Sequence, residues 1–301
     1  MISGKIVFSQ LTSLFPKYEF DKCIKKYNGN YKTQEFTCWE HFLVMIFAQL
    51  TTRESLRDIE NSLKAIPDRL YHMGIRSEIA KSTLADANKN RDYHIFSEFA
   101  LALSERARKL YLNDPGFTLD LDNLVYAIDS TTIDLCLSLY PWAKFRKKKA
   151  GLKMHTLLDV RGSIPLVLQL SPAVFHDVHF MDIIRLQPGA IYLMDRAYLS
   201  FNRLYNIKAA GAYFIIKAKS NLQYKVVERK SANEDNIIAD QIIQLKTRKS
   251  QKDYPDQLRR IKLYDAEESR YVTILTNNFL LSAKLIGDLY RHRWRIELFF
   301  K

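Results

Sequence analysis

Two stretches decide the fold: NLVYAIDST, Asn123–Thr131, and GAIYLMDRAYLSF, Gly189–Phe201. Each is a run of apolar, β-forming residues that meets a carboxylate, Asp129 in the first and Asp195 in the second. A continuous apolar run, without alternation of polar residues, marks a strand buried on both faces, as in a parallel sheet. Working outward, Lys153–Ser171 reads as two strands around a turn at Arg161-Gly162, Asn202–Ala212 as a helix and Tyr213–Ser220 as a further strand. The order strand, hairpin, helix, strand, helix, strand suits an α/β domain with a central sheet, in which two parallel strands end side by side at one edge of a cleft.

Ligands bind at the carboxyl edge of such a sheet, and two carboxylates placed there repel each other unless a cation lies between them. Hard oxygen ligands of this kind suit Mg²⁺. A single Asp at a strand end is explained as well by capping of the next turn, so it is the pair in one domain that points to a metal. Tyr290, Arg293 and Glu297, in YRHRWRIELFFK (Tyr290–Lys301), are spaced i, i+3 and i+7. On one helix they share a face, with Leu298 and Phe299 turned inward; the plain alternative is a solvated, internally ion-paired surface.

Before LNDPGF, Leu112–Phe117, the pattern changes to helical. Trp39, Phe42, Leu43, Ile46, Phe47 and Leu50 fall on one stripe, and Thr51 precedes Glu54 at capping-box spacing ahead of Leu56, Ile59, Leu63 and Ile66. Ser77–Asp92, SEIAKSTLADANKNRD, reads as a short helix capped by Ser82 or Thr83, followed by a long helix with Ile95, Phe99, Leu103 and Leu110. The arrangement suits a helix-turn-helix variant in which Asn88 and Arg91 face base edges, although most short polar helices are merely solvated surface.

Composition supports a polyanionic partner. The formal net charge of +13 over 301 residues favours nucleic acid first and an acidic membrane surface second. KFRKKKAGLK contributes Lys144, Arg146, Lys147, Lys148, Lys149 and Lys153 without an acid among them, a run suited to DNA phosphates when it lies beside a site and to solvent otherwise. Cys23, Cys38 and Cys136 form no C-x-x-C pair and sit among apolar neighbours, which fits free thiols in the cytoplasm. No export signal, membrane span or repeat is expected. In FHDVHFMD, His176 and His179 lack the further ligands zinc needs, and a helix start capped by Asp177 serves as well.

The C-terminal stretch resembles the Tyr, two residues, Arg, three residues, Glu, six residues, Lys motif of the DDE transposases of bacterial insertion sequences, specifically the insertion-sequence-four family. YAIDSTTIDLCLSLYPWAKFR and MDRAY are similar to that family's two Asp motifs, and YEFDKCIKKYNG, AQLTTRESLRDIE, STLADAN and LTNNF to other family segments. The resemblance implies a ribonuclease H-like catalytic domain over residues 116–301, with a mostly β insertion at about residues 218–270, preceded by an all-α DNA-binding domain over residues 1–115. It implies a catalytic and metal-binding triad of Asp129, Asp195 and Glu297 holding Mg²⁺ or Mn²⁺, two ions in all. Tyr290 and Arg293 would grip phosphate, and double-stranded DNA would be bound by a homo-oligomer. The reaction implied is metal-dependent cleavage and strand transfer at element ends.

The motif's final Lys falls at position 304, beyond Lys301, so the chain reads as a C-terminally truncated transposase with little or no activity of its own. A DNA-binding regulator or inhibitor of transposition would need the basic elements without the triad, and a ribonuclease H-like nuclease would keep the triad but only hydrolyse.

Overall fold

The computed structural model describes residues 6–33, 35–111, 121–135, 144–146, 149–231, 236–265 and 269–301. The chain forms two compact units, Met1–Arg106 and Ala107–Lys301.

The first unit is helical: α1 (Val7–Thr12), α2 (Lys17–Lys26), α3 (Cys38–Leu50), α4 (Leu56–Lys64), α5 (Pro67–Leu70), α6 (Lys81–Asn90) and α7 (His94–Leu110), the last running past the unit boundary. The capping box falls on Thr37 and Glu40 at the start of α3, where the Glu40 N–H donates to Thr37 Oγ1 at 3.2 Å and the Thr37 N–H to Glu40 Oε2 at 3.0 Å. The expected box at Thr51 and Glu54 does not form. Thr51 instead closes α3, its hydroxyl donating to the Phe47 carbonyl at 2.7 Å, and Ser55 caps α4. Nor do Ser82 and Thr83 cap α6, which begins before them at Lys81 with Ala80 in the capping position. Phe20, Cys38, Ile95 and Phe99 are buried together, with Phe20 and Phe99 edge to face at 4.9 Å.

The second unit is mixed α/β, built on a sheet of ten strands among the described residues. The strands are β1 (Val125–Leu135), β2 (Lys144–Arg146), β3 (Lys149–Asp159), β4 (Ile164–Pro172), β5 (Ile191–Met194), β6 (Tyr213–Lys217), β7 (Tyr224–Lys230), β8 (Ile237–Leu245), β9 (Leu258–Asp265) and β10 (Arg270–Thr276). Their order is β2-β3-β1-β5-β6-β10-β9-β8-β7, with β4 also on β3. β1, β5 and β6 are parallel; β3 and β4 return antiparallel on one side, and β10 to β7 on the other. The helices are α8 (Phe201–Ala209), α9 (Arg248–Asp253), α10 (Ala283–Arg291) and α11 (Trp294–Phe299). Among the described residues no helix is long and apolar enough to cross a membrane.

The apolar runs are explained by burial on both faces. Tyr126 and Ile128 of β1, with Tyr192 and Met194 of β5, pack on one side against Phe180, Tyr198, Leu204 and Ile207. Val125, Ala127, Ile191 and Leu193 pack on the other against Ile286 and Leu289 of α10 and Ile296 of α11. Far along the sheet, the buried Arg259 forks onto Asp240, with Nη2 to Oδ2 at 2.6 Å and Nε to Oδ1 at 2.9 Å, and donates to the Leu281 carbonyl at 2.6 Å. Asn277 bridges β6, accepting from the Phe214 N–H and donating to the Ala212 carbonyl, each at 2.9 Å.

Candidate active site

Strand register brings the two Asp residues together. Ile128 pairs with Met194 across the parallel β1 and β5, and Asp129 and Asp195 are the next residue of each chain segment. By the two-residue period, both continue the series Val125, Ala127 and Ile191, Leu193, which faces α10 and α11. Ile296 is fully buried on that face and Glu297 follows it. Asp129 does not end its strand as expected: β1 continues to Leu135, because β3 still pairs with it after β5 has stopped. The end of the neighbouring strand, rather than of its own, opens the space at Asp129.

Arg293 lies between two of the three carboxylates. Its Nη1 donates to Asp129 Oδ2 at 3.2 Å and its Nη2 to Glu297 Oε1 at 2.5 Å, and its guanidinium carbon is 5.9 Å from the Tyr290 ring centre. Burial pushes the Asp129 carboxyl up to about 6; Arg293 opposes this and the negative charges of Glu297 and Asp195 add to it. Burial alone would lower Arg293, but Tyr290, Glu297 and Asp129 hold it above its ordinary value. Tyr290 is raised to about 12, chiefly by burial. Arg293 Nε is buried without a hydrogen-bond partner. Beside these groups an open cleft of about 270 Å³ is lined by Lys217, Asp265, Arg270, Val272, Tyr290, Arg291, Arg293 and Trp294.

The donor set suits a hard divalent cation: three carboxylates at one end of the sheet, close enough that Asp129 feels the charge of both others. As they stand, however, no three His, Cys, Asp or Glu side chains among the described residues are gathered closely enough to hold a metal ion. The charge that joins Asp129 to Glu297 is the guanidinium.

Several expectations change at the level of side chains. Tyr290, Arg293 and Glu297 do not share one helix: Tyr290 is in α10, Arg293 at the junction and Glu297 in α11. The N–H groups of His292, Arg293, Arg295 and Ile296 donate three residues back, tightening the helix locally. His292 and Arg293 keep right-handed helical backbone angles, so Glu297 still comes within reach of Arg293.

Lys153 is not a free member of the basic run. Its Nζ donates to Asp177 Oδ1 at 2.9 Å and to the Phe175 carbonyl at 3.1 Å, with 17% of the side chain exposed. Asp177 accordingly does not cap its 3₁₀ turn, Asp177–Asp182, which starts without a side-chain cap. His179 Nδ1 accepts from Arg203 at 3.0 Å. Lys144, Arg146 and Lys149 are placed on the backbone of β2 and the start of β3; Lys147, Lys148 and Cys136 lie outside the described residues.

In the helical unit, Asn88 Oδ1 is 2.7 Å from His41 Nε2, while Arg91 donates to the Thr37 carbonyl at 3.1 Å and to the Phe36 carbonyl, with its guanidinium over the Phe36 ring. Arg91 therefore fastens the start of α3 and is not extended toward base edges. Cys23 and Cys38 are buried free thiols.

A family model described as a transposase DDE domain matches residues 120–301, and one described as a domain of unknown function (DUF4372) matches residues 3–76. A putative transposase, y4zB, of Sinorhizobium fredii is 32% identical over 224 residues, covering 72% of this chain and 60% of the relative. A probable transposase for insertion sequence element IS5377 of Geobacillus stearothermophilus is 27% identical, covering 58% of this chain and 46% of the relative. A putative transposase for insertion sequence element IS4SA of Synechocystis sp. is 22% identical over 94% of this chain and 77% of the relative. The chain thus spans about half of the first two relatives' length. A solved piggyBac transposase synaptic complex with hairpin DNA overlaps 96% of this chain and 64% of its own at a TM-score of 0.45 and 9% identity. With its two Asp motifs and its Tyr-Arg-Glu segment inside the matched region, the chain belongs to the transposase DDE domain family.

Proposed function

We propose that this chain is the catalytic core of an insertion-sequence transposase, with Asp129, Asp195 and Glu297 as its acidic triad and DNA as its substrate. The observation that carries the reading is Arg293 bonded at once to Asp129 and Glu297, on the sheet face where Asp195 ends its strand. A ribonuclease H-like fold is supported by the run β4-β3-β1-β5-β6, in which three parallel strands adjoin an antiparallel pair, and β7 to β10 then read as an insertion between β6 and α10.

Mg²⁺ or Mn²⁺, as one or two ions, would be held by the triad and, when bound, supplies activation of the attacking oxygen and neutralisation of the leaving one. The chain's own groups do the rest. Arg293 keeps its charge, which a phosphate entering the adjoining cleft would meet. Tyr290 stays a neutral phenol at physiological pH and so remains a hydrogen-bond donor. Lys217, Arg270 and Arg291, the last paired with Asp288, outnumber Asp265 in the lining of the adjoining cleft, where a strand's phosphates would lie. The edge strand β2 leads into the basic run, which is read as a sequence-independent DNA contact made in the cytoplasm, with two or more copies assembling on the element ends.

The test uses linear DNA carrying the inverted repeats that flank the gene, incubated with the purified chain and Mg²⁺. Cleavage at the repeat ends and joining of a marked 3′-hydroxyl end to plasmid, both lost in Asp195→Asn, support the reading. Hydrolysis without joining would assign a nuclease, and binding with neither, even after a family-like C-terminal segment is appended, would assign a regulator.

A further inference from the structure

Asp177 belongs to neither Asp motif nor to the Tyr-Arg-Glu segment, yet it is bonded to the residue that follows Asp129. Ser130 Oγ donates to Asp177 Oδ1 at 2.7 Å, and the Ser130 N–H donates to Asp129 Oδ1 at 2.8 Å. Ser130 thus reaches both faces of the sheet: its backbone holds the Asp129 carboxylate on one, and its side chain is held on the other. Lys153 fixes the far end, donating to the same Asp177 oxygen at 2.9 Å and to the Phe175 carbonyl at 3.1 Å.

The surroundings leave this chain of contacts little freedom. Lys153 and Asp177 are 17% and 25% exposed. His155, fully buried, stacks on Phe180 at 5.3 Å, donates or accepts at Ser171 Oγ through Nε2 at 2.8 Å and brings Nδ1 to 3.9 Å from Asp177. A largely buried Lys–Asp pair adds little net stability, because removing both charges from water offsets most of their attraction. Its attachment to the residue after a catalytic carboxylate gives the pair a second use.

We propose that Asp177, anchored by Lys153 and acting through Ser130, is a positioning residue that sets the Asp129 carboxylate for a divalent cation. The inference rests on the proposed metal role of Asp129. Outer contacts of this kind, when lost, cost about 10–100-fold in metal affinity in other sites.

The experiment is a Mn²⁺ titration of the full chain, with free ion followed by electron paramagnetic resonance, alongside thermal unfolding. Asp177→Asn and Ser130→Ala should each weaken Mn²⁺ binding about 10-fold or more, and Ser130→Thr, which keeps the hydroxyl, should retain it. The double variant Ser130→Ala with Asp177→Asn should bind no more weakly than either single one, since both break one connection. Unchanged Mn²⁺ affinity in the folded Ser130→Ala chain would overturn the proposal, even if Asp177→Asn proves too unstable to measure. Asp129→Asn is run beside them: if it binds Mn²⁺ like the parent, the metal reading itself fails and the proposal falls with it. Loss in Asp129→Asn without loss in Ser130→Ala overturns the positioning role alone.

Discussion

Replacing Asp129 with Asn should stabilise the chain at neutral pH while removing one of the three carboxylates proposed as the acidic triad. Burial raises this carboxyl from its ordinary 3.8 to about 6, and Glu297 and Asp195 contribute to the rise. A rise of about two pH units corresponds to about 3 kcal/mol at 1.36 kcal/mol per unit. With 22% of the side chain exposed, solvent screening removes little of it. The sign follows from linkage: the folded form holds its proton more tightly than the unfolded chain, so the Asp129 contribution is fully present below about pH 4 and is lost as pH rises through about 6. Asn keeps the shape and still accepts from the Ser130 N–H, but it carries no charge to bury. Unfolding of parent and variant in EDTA, from pH 4 to pH 8, should give a gap that opens by up to about 3 kcal/mol between pH 4 and pH 7 and is flat above. At about 2–4 °C per kcal/mol for a domain of this size, the melting shift is several degrees. Stability profiles that run parallel over the whole range would refute the reasoning.

Arg259→Ala strands the Asp240 carboxylate in the sheet and should cost about 3–5 kcal/mol in urea unfolding, whereas Arg259→Met combined with Asp240→Leu should recover most of the loss. Arg91→Ala removes the donor to the Phe36 and Thr37 carbonyls and should destabilise the helical unit by about 1–3 kcal/mol, read by circular dichroism, without changing preference among DNA sequences. Lys147, Lys148 and Lys149 changed together to Ala should weaken binding to all DNA sequences and flatten the salt dependence by about one logarithmic unit per lost phosphate contact; fluorescence anisotropy at several salt concentrations checks this, and an unchanged slope would make the run solvated surface.

What could be read from the sequence was local, and what escaped it was not. Buried parallel strands have to be apolar on both faces, so the runs before Asp129 and Asp195 were visible as strands, and register alone then placed the two Asp residues side by side. The continuation of β1 past Asp129 depends on β3, whose pairing no local pattern records. The break at His292 and Arg293 has neither Gly nor Pro to announce it. Lys153 looked like one more charge in a basic run because its partner is 24 positions away; Asp177 looked like a cap because Ser130 is 47 away. Arg91 is the same case in the helical unit, with acceptors 54 and 55 positions earlier.

Whether Asp129, Asp195 and Glu297 meet at one cation is tested most directly by affinity cleavage. Fe²⁺ bound in place of Mg²⁺ generates hydroxyl radicals with ascorbate and cuts the backbone near the ion. If the three carboxylates meet at one ion, cuts fall at three separated places, around residues 129, 195 and 297, fade together with excess Mg²⁺ and are lost together in Asp129→Asn. Cuts confined to one or two of these places, or cuts that survive excess Mg²⁺, would contradict it.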